Sequence, residues 1–283
     1  MAAEEHAAQA AEGKIDVIGH LVDQHYLQVP FVNAHNVVDG RIPLPSFPPF
    51  HVLGLTVDMS VTRHVVMMWG AALLLIVLLL LAFRRPRLVP SGLSNLFEAL
   101  VVFVRDDIVL PSMGKHGAAY LPYLLTAFFF ILTCNLVGLV PYVSTPTANV
   151  NITAGLALCT LAAMFVAGVA NNGPIGYLRS LVPAGIPLWL LPIMIVVEVM
   201  SLFGRPFALC VRLFANMLAG HVIILSLIGM IFLFSSLALV VAPVSVAFSA
   251  GIYLLELFVA LIQAYIFTLL SALFIGMAAH PQH

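Results

Sequence analysis

The apolar C-terminal half of the chain contains a polar stretch, Arg205-Pro-Phe-Ala-Leu-Cys-Val-Arg-Leu-Phe-Ala-Asn-Met-Leu-Ala-Gly-His221. It places two arginines, an asparagine and a histidine inside a segment that is otherwise as apolar as a membrane helix. An ionisable side chain at the centre of a bilayer costs about 2.5–3.5 kcal/mol on insertion scales, and such residues normally serve a function. The stretch therefore predicts a functional site within the membrane, with Arg212 near its centre.

The composition around this stretch is that of a helical membrane protein. Of the 283 residues, 62% are hydrophobic and 8% are charged, whereas soluble domains contain about 25% charged residues. The apolar segments are at least about 20 residues long, which favours helices over the short alternating strands of a membrane barrel. The net charge of −1 gives no indication of a nucleic-acid partner. The N-terminus has no basic segment followed by an apolar core, so we expect no cleavable signal peptide.

Five membrane spans are predicted, at about 65–83, 121–143, 152–170, 188–234 and 237–279. The first is followed by Arg84-Arg-Pro-Arg87, and basic clusters flank the cytoplasmic end of a span. We therefore expect an extracytoplasmic region at 1–60, a membrane domain at 61–283 and a cytoplasmic C-terminus. Within the first region, the pattern at Lys14–Gln28 resembles that of a helix.

The segment at about 91–111 differs from the spans because charged residues lie among apolar residues at helical spacing. This pattern predicts an amphipathic helix on the cytoplasmic surface. The next two spans are close enough in sequence to form a hairpin.

The last two apolar segments each exceed 40 residues. A helix of that length is over ~60 Å long, against a hydrocarbon core of ~30 Å. Each segment could hold two spans with a buried turn, or it could be one strongly tilted helix. Turn residues inside them are few, at Gly204-Arg-Pro206 and Ala242-Pro243, so we favour long tilted helices, kinked at these prolines. Such a tilt indicates helices that wrap another protein.

The polar residues of these two segments fall on distinct helix faces. On a helical wheel, four residues lie within ~40° of Arg212; they are Glu198, Ser201, Arg205 and Asn216. His221 falls on the opposite face. In the last segment a second stripe consists of Ser249, Glu256 and Gln263.

Two interpretations of these polar residues remain open. Glu198 could pair with Arg205, and Glu256 with His221, in a purely structural way. Alternatively, isolated polar groups at successive depths could form a proton path, which we favour. Arg212 has no carboxylate three or four residues away, and arginine does not give up its proton. It would therefore act as a fixed positive charge that favours the ionised form of a neighbouring carboxylate.

Four motifs, in this order along the chain, resemble those of subunit a of the F-type ATP synthase. They are Asn135-Leu-Val-Gly-Leu-Val-Pro141, Pro146-Thr-Ala-Asn-Val-Asn-Ile-Thr153, Pro206-Phe-Ala-Leu-Cys-Val-Arg-Leu-Phe-Ala-Asn-Met-Leu-Ala-Gly220 and Glu256-Leu-Phe-Val-Ala-Leu-Ile-Gln-Ala-Tyr-Ile-Phe-Thr-Leu269. The resemblance covers the chain from about residue 60 to its end. It implies an all-α polytopic protein that is the stator of the membrane sector and not an enzyme by itself. We expect no cofactor and no metal site.

The resemblance also implies a role for each polar residue. A ring of c subunits would rotate against this chain, and two offset proton half-channels would reach the ring from opposite sides. Arg212 matches the arginine that faces the ring carboxylate and separates the half-channels, and Gln263 matches its neighbouring glutamine. Three residues match the outer half-channel: Asn216, His221 and Glu256. Glu198 matches the inner one, and two further candidates are Ser201 and Arg205.

The implied partners are the c-ring proteolipids, the peripheral-stalk b subunits, the rest of the complex and lipid of a bacterial plasma membrane, without nucleic acid. The alternative is a stand-alone ion channel or secondary transporter, for which we detect no repeats or inverted pair of broken helices. A haem-containing oxidoreductase would need more histidines within the spans than His221. The coupling ion, for which we favour the proton over sodium, depends on the ring.

Overall fold

The computed structural model describes residues 26–28, 41–45, 50–52, 55–57, 60–84, 92–140, 143–180, 190–234 and 237–279. Within these ranges the α-helices are α1 (Arg63–Ala82), α2 (Leu93–Phe103), α3 (Leu110–Met113), α4 (Leu121–Gly138), α5 (Val150–Ser180), α6 (Leu191–Leu233) and α7 (Ala238–Ala279). The strands are β1 (Tyr26–Gln28), β2 (Arg41–Pro43), β3 (Phe50–Val52) and β4 (Leu55–Val57).

Five of these helices, α1, α4, α5, α6 and α7, are long and apolar enough to cross a membrane. They confirm the predicted class, an all-α polytopic membrane protein. Helix α6 runs for 43 residues and α7 for 42 without a break, so the alternative of two spans with a buried turn is wrong for both. Pro206 and Pro243 lie inside these helices. The tilt of the two helices and their kinks at these prolines stay predictions.

The strands form two small antiparallel pairs. Strand β1 pairs with β2, and β3 pairs with β4, each over three residues. The predicted helical pattern at Lys14–Gln28 is wrong at its last three residues, because the backbone groups of Tyr26–Gln28 pair with Arg41–Pro43 in a ladder. The rest of that pattern lies outside the described residues. The extracytoplasmic location of residues 1–60 stays a prediction.

The predicted amphipathic segment consists of α2, one π-helical stretch at Val104–Val109, and α3. It buries Phe97, Val104 and Ile108, while Arg105 Nε lies 2.7 Å from Asp106 Oδ1 at the exposed side. The hydrogen bond from Arg105 lowers the pKa of the Asp106 carboxyl below its ordinary value. Leu93 and Leu96 of the same segment are exposed, and the amphipathic helix on the cytoplasmic surface stays a prediction.

The chain divides into two compact units. Unit 1 comprises Met1–Ala72, Cys134–Asn149 and Ala215–Ala260, and unit 2 comprises Leu73–Thr133, Val150–Phe214 and Leu261–His283. In unit 2, the largest fully buried side chains include Phe267, Ile108, Leu124, Ile131 and Met164.

Polar bonds also join the helices of unit 2. The Thr160 hydroxyl on α5 lies 2.9 Å from the Tyr123 hydroxyl of α4 and 3.3 Å from the Ser271 hydroxyl of α7. Asn172 Nδ2 donates to the carbonyl of Ala278, 3.2 Å away. That bond satisfies one of the last carbonyls of α7, which have no partner within their own helix.

Helix α5 continues beyond the predicted end of its span at residue 170. The backbone leaves helical geometry only at Gly173, with φ 72° and ψ 165°, and the helix resumes with Pro174. A glycine adopts this left-handed φ without the steric cost that other residues meet. A proline is tolerated in the first turn of a helix because its missing N–H has no partner there.

Candidate functional site

The first group of predicted site residues lies in unit 1, where α6 and α7 bring His221 and Glu256 together. His221 Nδ1 lies 2.7 Å from Glu256 Oε1. The carboxylate side chain is only 3% exposed and the imidazole 23% exposed. The structure therefore shows the close approach that an exchange of proton or charge between these two residues requires.

The surroundings of the imidazole restrict where its hydrogens can be. Nδ1 lies 3.0 Å from the carbonyl oxygen of Met217, one turn earlier on α6. A carbonyl only accepts, so Nδ1 carries a hydrogen when it makes this bond. Nε2 lies 3.1 Å from the carbonyl oxygen of Gly138 and 3.0 Å from the hydroxyl of Thr145. The neutral imidazole can accept from that hydroxyl, and the imidazolium can donate to the carbonyl.

Glu256 depends on this histidine for its electrostatic environment. Among the described residues, neither of its carboxylate oxygens receives an aligned hydrogen bond. A buried carboxylate without hydrogen bonds is stable as an ion only beside an opposite charge, and otherwise it takes up a proton. Among the described residues, His221 is placed to supply such a charge, since its Nδ1 lies 2.7 Å from Glu256 Oε1.

Two glycines make room for this arrangement. A Cβ atom at Gly220 would lie 2.6 Å from Glu256 Oε1 and 2.8 Å from its Cδ, closer than real Cβ contacts come. A Cβ atom at Gly138 would overlap the side chain of Thr145. Any other residue at either position would displace the polar group beside it.

A second set of bonds in unit 1 fixes the segment that follows α4. The Thr147 hydroxyl donates to Asn135 Oδ1 at 2.7 Å, and Asn135 Nδ2 donates to the carbonyl of Ala260 on α7 at 3.5 Å. The Tyr253 hydroxyl of α7 donates to the carbonyl of Leu139. Asn135 thus forms a hydrogen bond between α4 and α7.

The second group of predicted site residues lies in unit 2 and begins with Glu198 and Arg205 on α6. Arg205 Nη2 lies 3.7 Å from Glu198 Oε1, and both side chains are partly exposed. The Arg205 guanidinium carbon also lies 5.8 Å from the ring centre of Phe274 on α7, a distance at which a cation is attracted to a ring face. The structural pairing considered for these two residues is therefore present.

Arg212 differs from Arg205 in having no such partner. Its side chain is half-buried, and it makes no ion pair or hydrogen bond with the residues that the structure describes. Ser201 on the same helix is half-buried, and Gln263 on α7 is buried at 2% exposure. Asn216 belongs to unit 1 and is exposed.

A family model described as ATP synthase A chain matches residues 65–276. The chain belongs to this family. Two relatives are named ATP synthase subunit a. That of Chloroherpeton thalassium is 46% identical over 278 residues, covering 95% of this chain and 78% of the relative. That of Myxococcus xanthus is 52% identical over 231 residues, covering 80% of this chain and 75% of the relative.

Membership in the ATP synthase A chain family confirms the resemblance found in the sequence. The chain is a multi-pass component of the membrane sector of the F-type ATP synthase, with a part in ATP synthesis and proton transport. It is not an enzyme by itself. All the predicted site residues, from Glu198 to Gln263, lie within the matched region.

Sequence reasoning did not find Thr145 or the backbone carbonyls of Gly138 and Met217 that surround His221. Thr145 lies in the segment between α4 and α5, where a hydroxyl residue does not by itself indicate a site. The positions of main-chain carbonyls cannot be deduced from a sequence. One signal was available. A residue before a proline favours extended backbone, and Thr145, before Pro146, has φ −72° and ψ 117°.

Among the described residues, no group of three metal-binding side chains is found. The expectation of no metal site stays a prediction.

Proposed function

We propose that this chain forms two offset proton half-channels against a rotating c-ring and so couples proton flow to ATP synthesis. In this proposal Arg212 is a fixed positive charge that faces each ring carboxylate as it passes. The arginine favours the ionised carboxylate, which has released its proton to the exit channel and is reloaded from the entry channel.

The observation that carries the proposal is the state of Arg212 on α6. It makes no ion pair with any described residue, yet a half-buried cation in an apolar helix needs a counter-charge. Neighbouring apolar residues are exposed, Phe207 by 69% and Val211 by 41%. An arginine beside exposed apolar surface supports a partner chain that brings a carboxylate to it.

The remaining polar residues are proposed to serve the half-channels. His221 and Glu256, with Asn216, would carry protons on the outer side, because their contact lets a proton pass between an imidazole and a carboxylate. Glu198 would serve the inner side, with Ser201 as a further polar group. Gln263 would neighbour Arg212.

We propose the corresponding orientation and partners. Residues 1–60 lie outside the cytoplasm, the membrane domain follows from residue 61, and the C-terminus is cytoplasmic, as the basic cluster after α1 indicates. The partners are the c-ring proteolipids and the peripheral-stalk b subunits, in a bacterial plasma membrane, with the proton as coupling ion.

The decisive experiment replaces Arg212 by alanine in the assembled complex and measures ATP synthesis in energised membrane vesicles. We expect synthesis to be abolished while the subunit still co-purifies with the ring. The matched control is Arg105→Ala, an exposed arginine outside the spans that pairs only with Asp106 among the described residues; it should synthesise ATP normally. Normal synthesis by Arg212→Ala would refute the proposal.

A further inference from the structure

Thr145 places a hydroxyl group within hydrogen-bond distance of the imidazole of His221 in unit 1. Its side chain is 2% exposed. Its Oγ1 lies 3.0 Å from His221 Nε2 and 3.2 Å from the carbonyl oxygen of Gly138. That carbonyl lies 3.1 Å from the same Nε2 atom. The imidazole nitrogen, the hydroxyl and the carbonyl thus form a triangle in which each pair is within hydrogen-bond distance.

The three groups differ in their capacity to donate and accept hydrogen bonds. A carbonyl oxygen can only accept a hydrogen bond, a hydroxyl can donate or accept, and Nε2 accepts when neutral and donates when protonated. When His221 is neutral with its hydrogen on Nδ1, the hydroxyl donates to Nε2. When His221 is an imidazolium, Nε2–H donates to the Gly138 carbonyl or to the hydroxyl oxygen. Both states are satisfied by a turn of one hydroxyl, without movement of the backbone.

We propose that Thr145 is a positioning residue that keeps His221 hydrogen-bonded in both its protonated and its neutral state, so that the imidazole can take up and release protons. This inference rests on the proposed proton path, in which His221 carries protons. It adds a residue with no charge, on the segment between α4 and α5, to a path otherwise assigned to α6 and α7.

The position of the hydroxyl is built into the local structure. Thr145 precedes Pro146, which favours its extended backbone. Gly138 has no side chain, which leaves the space that the Thr145 side chain fills.

The other described side chains around the imidazole do not contact Nε2, the atom that Thr145 contacts. The titratable group in contact with His221 in the described chain is Glu256, which lies at Nδ1 and not at Nε2. The Tyr253 hydroxyl of α7 donates to the carbonyl of Leu139. Met217 contributes its carbonyl oxygen, again at Nδ1.

Removal of the hydroxyl has a consequence of definite sign. In a Thr145→Val variant, a neutral Nε2 would face the Gly138 carbonyl oxygen, and two acceptors with no hydrogen between them repel. The protonated imidazole would keep its bond to that carbonyl. The variant would therefore retain the proton to higher pH and would release it less readily at neutral pH.

The experiment measures proton flux through the assembled complex in vesicles, across the pH range in which histidine titrates. Thr145→Val is expected to lower flux about three- to tenfold near neutral pH, the range set by one net hydrogen bond. Its pH profile should move to higher pH, so that part of the flux returns in alkaline buffer. Thr145→Ser, which keeps the hydroxyl, should recover most of the flux and the original profile.

The controls separate this inference from the proposed function. If His221→Ala loses flux while Thr145→Val keeps both flux and profile, the role of Thr145 is refuted and the proton path stands. Equal losses in the valine and serine variants, with no shift in profile, would also refute it, because they indicate packing alone. If His221→Ala and Arg212→Ala both keep normal flux, the proposed function itself fails. Thr145→Ala replaces the valine variant if valine prevents co-purification with the ring.

Discussion

Oε1 of Glu256 lies 2.7 Å from Nδ1 of His221, and the residue before that histidine is a glycine whose missing side chain leaves room for the carboxylate. An acid and a base on two different helices thus share one buried contact. The acid and the base could exchange positions and still form an acid–base contact. The relationship can therefore be tested by exchange as well as by removal.

Exchange of the two side chains is expected to preserve function in part. Glu256→Gln keeps the size of the side chain but removes its charge, and we expect proton flux to fall by at least about tenfold, as for loss of an acid–base group. The double variant His221→Glu/Glu256→His restores an acid–base contact. Its flux should exceed that of each of its component single variants, His221→Glu and Glu256→His. The measurement is proton flux in vesicles with complex that co-purifies with the ring. A double variant no better than the worse single variant would contradict a shared proton.

The sequence left this pair as one of two open interpretations, and it drew attention to both residues because acids and histidines are rare in membrane helices. Length and hydropathy were enough to predict the five long helices, and spacing was enough to place Glu198 near Arg205 on one helix face. These features depend on residue type and period alone. They are the part of the fold and site that local physics determines.

The features that sequence reasoning missed depend on contacts between distant segments or on the backbone. Thr145 meets His221 only because the turn after α4 folds against α6 within unit 1. Helix α5 passes Asn171 because the chain resumes its helix after Gly173, although Asn-Gly-Pro is typical of a helix end. Strand β1 forms where a helical pattern was expected, because its partner strand is supplied by a later segment.

A methyl group at position 220 should separate the pair without changing either titratable residue. The added Cβ of Gly220→Ala would meet Glu256 Oε1 at 2.6 Å, so the carboxylate must move from its present place. We expect flux to fall several-fold, with the subunit still in the complex. Gly229→Ala is the matched control, since it lies on the same helix and its Cβ would meet nothing within 4 Å. Equal behaviour of the two variants would show that the position of the carboxylate does not limit flux.

Arg205 is expected to matter much less than Arg212, although both are arginines on α6. Arg205 pairs with Glu198 at 3.7 Å between partly exposed groups, and ion pairs of this kind contribute about 0–1 kcal/mol. Arg205→Gln should therefore lower ATP synthesis by less than about fivefold, whereas Arg212→Gln should abolish it. The double variant Glu198→Gln/Arg205→Gln should be no worse than the worse of its single variants if the pair acts as a unit. Abolition of synthesis by Arg205→Gln alone would place this residue in the proton path.

Asn135 should control both stability and the pH profile of flux, because it holds the segment that carries Thr145. Its side chain is fully buried and bonds Thr147 and the carbonyl of Ala260. Asn135→Ala leaves a buried hydroxyl and a carbonyl without these bonds, at a cost of about 1–3 kcal/mol. The temperature at which the purified complex dissociates should fall, and the flux profile should move in the same direction as in Thr145→Val. Thr126→Ala on the same helix is the control, because its hydroxyl is exposed and bonds only its own helix at Pro122. A destabilised Asn135→Ala complex with an unchanged flux profile would mean that His221 does not depend on the placement of this segment.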